Sequence, residues 1–335
     1  MRSKARKSFA FLVLAYNHES YILEHLESIK YLVLKYGHDI DVDLIINDDC
    51  SSDRTQKLVD KWLHINVGLF RFIKTLYNSH NIGTCAGVSN MLKHVTTDRC
   101  KLTAGDDVYS FENIFATTNY ESDVAMLSGR ALFLHEDSLG IDPLNSLLVT
   151  ATQAIYKNKP LISRFKHFSS NNAPNILYAT ECLLHPEVLS QLQFYDVTED
   201  WPLQVGIAHQ FPRRKFELIN EVLVYYRRTI GSTYIVANQR FVKDKINMYN
   251  YLIANDHNWV ERMRLRSRRY CFGVKGKVLK KIINIDFYFF AINFIMRIKT
   301  IWNLEKRINI DIERHRRHYL RIRKNSDAFK SNCQC

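Results

Sequence analysis

Residues 42–55 read VDLIINDDCSSDRT, and the change of character within this stretch decides the fold. Val42, Leu44, Ile45 and Ile46 form an apolar run suited to a strand buried on both faces and too short for a helix. Asn47, Asp48 and Asp49 close the run. Ser51, Ser52 and Asp53 then offer helix N-caps, and Leu58, Val59, Trp62 and Leu63 supply a buried helical face. A buried strand that ends in acids and passes at once into a helix is part of a parallel βαβ unit.

The same alternation continues outward. Residues 9–14 predict a first buried strand. Ile22, Leu23, Leu26, Ile29, Leu32 and Val33 then fall at helical spacing, and Gly37 ends that helix. A third strand is expected over 70–76, a short helix after Gly83 over 84–94, and a fourth strand over 101–104 ending in Gly105-Asp106-Asp107. Ligands of such sheets bind beyond the carboxyl ends of the strands. Tyr16-Asn17-His18, Asp48-Asp49 and Asp106-Asp107 each follow a strand, so they are expected to converge on one crevice. Further on, 123–135 predicts one long strand or two short ones, 147–156 a helix, 202–209 a helix begun by Pro202, and 216–227 an edge strand.

From residue 239 the pattern turns helical, which divides the chain into 1–238, an α/β domain, and 239–335, a basic helical region. Residues 257–335 carry 20 Lys and Arg against 6 Asp and Glu, so the positive excess of the whole chain sits there. Such asymmetry calls for a polyanionic partner, anionic lipid or nucleic acid. Residues 282–296 are nearly all apolar, broken by Asn284, Asp286 and Asn293, and are short for a membrane span. They read as an amphipathic helix lying on a membrane or as a helix packed on the domain, and the two are compatible. The basic start and apolar run at the N-terminus lack a small-residue cleavage site, so no cleaved signal is expected. The seven cysteines include no C-x-x-C pair, which argues against zinc and a disulfide framework; Cys333 and Cys335 read as free thiols on a tail.

Two adjacent carboxylates at a strand end need a cation, hydrogen-bond donors or water. Together with diphosphate oxygens they make a hard-ligand site suited to Mg2+ or Mn2+. A second acidic pair at another strand end strengthens that reading.

The ordered set of motifs resembles family 2 of the glycosyltransferases, a large inverting family with the GT-A fold. Leu14-Ala15-Tyr16-Asn17-His18-Glu19 is similar to its opening motif, and Asp48-Asp49-Cys50-Ser51-Ser52-Asp53-Arg54-Thr55 to its D-D-G-S-x-D-x-T. Asn81-Ile82-Gly83 with Asn90, Ala104-Gly105-Asp106-Asp107, Thr198-Glu199-Asp200-Trp201, and Tyr225-Tyr226-Arg227 with Ser232 follow in the family's order. Cys50 replaces a common glycine, so no positive φ is expected there. No arginine precedes Asn90, and the acidic motif is D-D instead of D-x-D.

The resemblance implies a GT-A type α/β fold, an open and mostly parallel twisted sheet with flanking helices, plus the helical C-terminal extension. It implies a nucleotide-sugar donor, UDP-linked, bound by Tyr16, Asn17, Asp49, Asn81, Gly83 and Asp106. Asp107 would be the metal ligand for Mn2+ or Mg2+, Asp200 the general base, and Glu199 its support. The acceptor would be a glycan or lipid-linked glycan of a bacterial capsule or lipopolysaccharide, met at the inner, cytoplasmic face of the cell membrane, which residues 257–335 would bind. Trp201 is read as packing or sugar stacking; His18 and His209 are left outside the site. The competing reading is a non-catalytic protein that binds nucleic acid or membrane through its basic tail, which leaves the ordered acids unexplained; a nucleic-acid partner is not expected. A sugar-nucleotide pyrophosphorylase would want a glycine-rich loop, and residues 15–20 contain no glycine.

Overall fold

The computed structural model describes residues 6–228, 238–274 and 277–332. Ser232, Cys333 and Cys335 lie outside them. The first half alternates as expected: β1 (Lys7–Ala15), α1 (Ile22–Tyr36), β2 (Ile40–Asp48), α2 (Thr55–Asn66), β3 (Phe72–Tyr77), α3 (Thr84–Leu92) and β4 (Arg99–Ala104). There follow β5 (Val108–Tyr109), β6 (Val124–His135), β7 (Ser138–Gly140), α4 (Pro143–Tyr156), α5 (Leu161–Lys166), β8 (Ile176–Ala179), α6 (Thr180–Leu183), α7 (Pro186–Leu192), α8 (Asp200–Gln210) and β9 (Lys215–Arg227). The C-terminal region forms α9 (Asn238–Ala254), α10 (Trp259–Gly273), α11 (Lys277–Ile283), α12 (Ile285–Met296), α13 (Ile298–Glu305) and α14 (Ile312–Asn332).

The strands make one sheet in the order β3-β2-β1-β4-β8-β6-β9-β5, with β7 paired to β6. The pairs β2–β3, β1–β2 and β1–β4 are parallel, and β8 then enters antiparallel between β4 and β6. The sheet is therefore mixed, and its parallel part carries the motif-bearing turns. Phe9 to Val13 are fully buried because both faces of β1 are covered, which is why they read as an unbroken apolar run. One departure concerns β9. It is not an edge strand: it runs parallel along β6 and takes β5 on its other side, at Val224 and Tyr225. A second concerns α2. Its N-cap is Arg54, which makes no side-chain cap. Asp53 instead ties two elements together, accepting from Thr55 N–H and Glu19 N–H at 2.9 Å each.

The helices after residue 238 complete the core. Met248, Tyr249 and Leu252 of α9 and Leu265 of α10 are buried in the same apolar cluster as Ala10, Leu12 and Cys100 of β1 and β4. On α14, Tyr319 and Ile322 close over Val108, Leu132 and Tyr225. Asp286, at the start of α12, is fully buried and paired: Arg264 Nη2 lies 2.6 Å from Oδ1, with Arg268 and His167 also in reach. Burial pushes the Asp286 carboxyl up, but the His167 hydrogen bond and the arginines outweigh it and hold it at about 2. The charge that interrupts the apolar run thus anchors α12 to the body of the protein. Phe290, one turn later, packs with Ala151, Ile155 and Tyr156 of α4.

The opposite side of this region is apolar and exposed: Val278, Leu279 and Ile282 on α11, Tyr288, Phe289, Ile292, Ile295 and Met296 on α12, and Ile298 and Trp302 on α13. Among the described residues, no helix is long and apolar enough to cross a membrane. Of the described cysteines, Cys50, Cys85, Cys100, Cys182 and Cys271 are free, as the sequence suggested.

Candidate active site

The turn after β1 meets the turn after β2. Asn17 adopts a left-handed conformation with φ 54°, and its Oδ1 accepts from the Ser52 N–H at 2.9 Å. Its own N–H donates to Ser51 Oγ at 2.8 Å. Cys50 has φ 66°, so the expectation that a cysteine here rules out positive φ does not hold. The position keeps the left-handed turn that a glycine would take, at the strain cost of a Cβ. Asp48 closes this turn, accepting from Ser51 N–H at 2.8 Å and Gln56 Nε2 at 2.6 Å. Tyr16 stands beside it, 48% exposed.

Asp49 reaches the other way. Its Oδ1 accepts from Ile82 N–H at 2.8 Å and from Asn78 Nδ2 at 3.0 Å, and its Oδ2 from Gly83 N–H at 3.0 Å. Asp49 therefore fixes the loop between β3 and α3 and keeps one acceptor position on Oδ2. Gly83 has φ 85°, and a Cβ there would lie 2.5 Å from Asp196 Oδ1, so glycine is required twice over. Asn81 is exposed on the same loop. Cys85 N–H donates to Asp196 O at 3.0 Å, which carries the contact on to the segment before α8.

The acidic pair after β4 divides its labour. Asp107 is 3% exposed, and its Oδ1 accepts from Arg227 N–H at 2.9 Å. Burial first, and then the Asp106 charge, push its carboxyl well above the usual range, against the pull of the Arg227 N–H. Its carbonyl meets His25 Nδ1 at 2.8 Å. Arg227 also donates from Nε to Asp106 O at 2.7 Å and pairs with Glu24. One oxygen of the Asp107 carboxylate, Oδ1, is thus engaged, and Oδ2 takes no hydrogen bond among the described residues. The carboxylate of Asp106 is partly exposed and makes no hydrogen bond among the described residues. A hard oxygen donor free of partners suits a divalent cation shared with a diphosphate. No cluster of three or more His, Cys, Asp or Glu forms a cage among the described residues, so the phosphate oxygens would have to complete such a site. Beside this turn, His18 Nδ1 is buried without a partner, and a Cβ on Gly105 would lie 3.1 Å from it.

Glu199 and Asp200 open α8. Burial, followed by the Asp200 charge, raises the Glu199 carboxyl to about 8. Burial and the neighbouring carboxylate thus favour the proton-bearing form of Glu199, and the two acids titrate as a pair. Trp201 is 9% exposed and donates from Nε1 to Phe165 O at 2.7 Å, so it is a packing residue here. The buried Lys101 of β4 links the two acidic groups: burial lowers it to about 8, while Asp107 and Glu199 both act to raise it.

Two contributions were not foreseen. Asp244 Oδ2 on α9 accepts from the N–H groups of Asp196, Val197 and Thr198 at 3.0, 2.8 and 3.0 Å. Arg240 on the same helix pairs with Asp196, its Nε 2.5 Å from Oδ2. The helical region that follows the α/β part thus shapes the approach to Glu199-Asp200. In sequence, Asp244 looks like one more charge on a polar helix face, and nothing local marks it.

Residues 11–117 match the sequence model of glycosyl transferase family 2. No curated protein matches the chain in sequence. Among solved structures, S. aureus TarS 1–349 in complex with UDP-GlcNAc is similar at TM-score 0.56 and 16% identity, over 95% of this chain and 92% of that one. The mannosyltransferase PcManGT from Pyrobaculum calidifontis, in complex with GDP-Man and Mn2+, is similar at TM-score 0.55 and 15% identity, over 88% of this chain and 76% of that one. Against the longer crystal structure of S. aureus TarS, the match covers 80% of this chain but only 44% of that one, at TM-score 0.54 and 16% identity.

Proposed function

We propose that this chain, a glycosyltransferase whose residues 11–117 match family 2, moves a sugar with inversion from a UDP-sugar to a hydroxyl of a glycan or lipid-linked glycan. The observation that carries the reading is the division of charge at the carboxyl end of the sheet. An unengaged carboxylate, Asp106, follows β4, while a second acidic pair, Glu199 and Asp200, opens α8, with Glu199 buried and its carboxyl raised. One acid serves the leaving group and the other the incoming nucleophile. The relatives' ligands agree with a nucleotide-sugar donor: UDP-GlcNAc for TarS, GDP-Man with Mn2+ for PcManGT.

In this account Tyr16 lines the base pocket, and Asp49 accepts from the base through the position left on Oδ2. Asn17, Asn81 and Gly83 shape the donor cleft with their backbone turns. Asp106 holds Mn2+ or Mg2+ with its unengaged carboxylate, beside Asp107, the ligand that the resemblance implies. When bound, the cation would neutralise charge developing on the leaving diphosphate. Asp107 and Arg227 set the direction of the Asp106 turn. Asp200 removes the proton from the attacking hydroxyl as the new bond forms. Glu199 supports it from the preceding position. The donor is attacked from the face opposite the leaving group, so the product has inverted configuration.

The acceptor is a glycan made for a bacterial capsule or lipopolysaccharide, reached from the inner face of the cell membrane. Support for the membrane comes from the exposed apolar side of α11–α13, with Lys280, Lys299 and Lys306 exposed among those residues. Cations beside an apolar face favour an anionic lipid surface. The surface is narrower than 257–335, because α14 packs on the body of the protein. Incubating the purified chain with a panel of nucleotide sugars and Mn2+ tests the activity: release of nucleoside diphosphate from one of them is expected, and release from none would contradict the reading.

A further inference from the structure

The helix α9 carries none of the motifs by which the site was recognised, yet it delivers a lysine to the acidic pair. Asp244 and Arg240 fasten α9 to residues 196–198, as described above. The residue after Asp244 is Lys245. Its Nζ lies 4.7 Å from the centre of the Trp201 ring and 4.9 Å from that of Phe241, a cation held between two aromatic faces. Trp201 is itself fixed by its bond to Phe165 O and directly follows Asp200 in the chain. The ammonium is therefore held by the two rings beside the segment that carries the carboxylates, beyond ion-pair distance but within their electrostatic reach.

We propose that Lys245 is the counter-cation of the Glu199–Asp200 pair and a positioning residue for the proton transfer at Asp200. This rests on the activity proposed above. The surroundings support it from each side. Burial lowers the Lys245 ammonium, while Asp200, Glu199 and Asp244 raise it and Arg268 of α10 lowers it again. On Glu199, Lys245 acts together with Lys101 of β4 against burial and the Asp200 charge. Lys245 is the cation of this set that comes from α9. Lys101 is fully buried on the central strand, and Arg268 is tied to Asp286. A fixed positive charge beside the pair favours the form that can accept a proton, which is the form a base needs.

Replacement of Lys245 separates this role from packing. Lys245→Met keeps the length and the contact with both rings but removes the charge, and Lys245→Arg keeps the charge. Lys245→Gln is run in parallel, so that a folding defect in one neutral variant leaves the other for comparison. The measurement is kcat against pH at saturating donor and acceptor, with donor KM alongside. In the neutral variants the acid limb is expected to move to higher pH by about one unit, with about a tenfold loss of kcat on that limb and an unchanged donor KM. Arginine should restore the limb. An acid limb that stays in place, whether kcat is unchanged or falls equally at every pH, would overturn the proposal and leave Lys245 a packing residue. A wild-type chain that turns over no nucleotide sugar would instead defeat the proposed activity, so the two failures are distinct.

Discussion

The N–H of Val197 donates to Oδ2 of Asp244 at 2.8 Å, and the N–H groups on either side of Val197 converge on the same oxygen. This carboxylate, 2% exposed, is the joint between the C-terminal helices and the segment that leads into Glu199-Asp200. Asp244→Ala leaves those N–H groups without an acceptor. Each buried orphan costs about 1–3 kcal/mol, and local relaxation recovers part of it. A loss of about 3 kcal/mol in urea unfolding is expected, with a milder loss for Asp244→Asn, which keeps an acceptor oxygen. Equal stability of Asp244→Ala and wild type would show that the joint carries no load.

Asp106 and Asp107 are adjacent, but they should respond differently to loss of charge. Asp106→Asn is expected to remove the metal dependence of nucleoside-diphosphate binding. Asp107→Asn keeps an acceptor for the Arg227 N–H and removes repulsion against Asp106, so it should fold and keep that dependence. Calorimetry with UDP, with and without Mn2+, reads both. The reverse pattern would return the ligand role to Asp107.

The sheet and its acidic turns could be read from the sequence because β1 and most of β2 are buried on both faces and β1, β2 and β4 each run into polar residues. The different surroundings of Asp106 and Asp107 could not. They depend on Arg227, 120 residues away, whose N–H takes one carboxylate inward. The left-handed turn at Cys50 was equally hidden, since a cysteine gives no signal of positive φ. The role of α9 was missed for a different reason: Asp244 makes its contacts with backbone N–H groups, and these leave no mark on side-chain identity. The buried pairing of Asp286 likewise became visible only when Arg264, Arg268 and His167 were brought together by the fold.

The helix α14 makes stability depend on pH. Burial lowers His318 to about 4, against an opposing hydrogen bond to Tyr109 O. A folded-state value below the unfolded one means that the unfolded chain binds the extra proton. The stability this histidine contributes is therefore present above about 6.5 and is lost as pH falls towards about 4. His318→Phe keeps the packing on Tyr31 and Phe111 and cannot take up that proton. Between those two pH values, wild type should lose about 1.4 kcal/mol per pH unit more than the variant. Parallel pH profiles of urea stability would show that His318 is not the titrating group.

The apolar side of α12 gives a membrane test that leaves the site alone. Ile292 and Met296 are 56% and 76% exposed and one turn apart. Replacing both with Asp should abolish sedimentation with anionic vesicles and leave turnover of a soluble acceptor unchanged. Undiminished sedimentation of the double variant, or equal binding of wild type to neutral and anionic vesicles, would count against the inner-membrane assignment.

The central claim is that Asp200 takes the proton from the acceptor. Asp200→Asn preserves size and the place in the first turn of α8 while removing the base. Glu199→Gln preserves the size and hydrogen-bonding capacity of a carboxyl that burial already pushes towards its neutral form. The decisive measurement is kcat of the two variants at neutral pH, with saturating nucleotide sugar and acceptor. The account predicts a fall of about 10²–10⁴-fold for Asp200→Asn with little change in donor KM, and a much smaller loss for Glu199→Gln. Near-normal turnover by Asp200→Asn would reduce Asp200 to a helix-end residue and contradict the account.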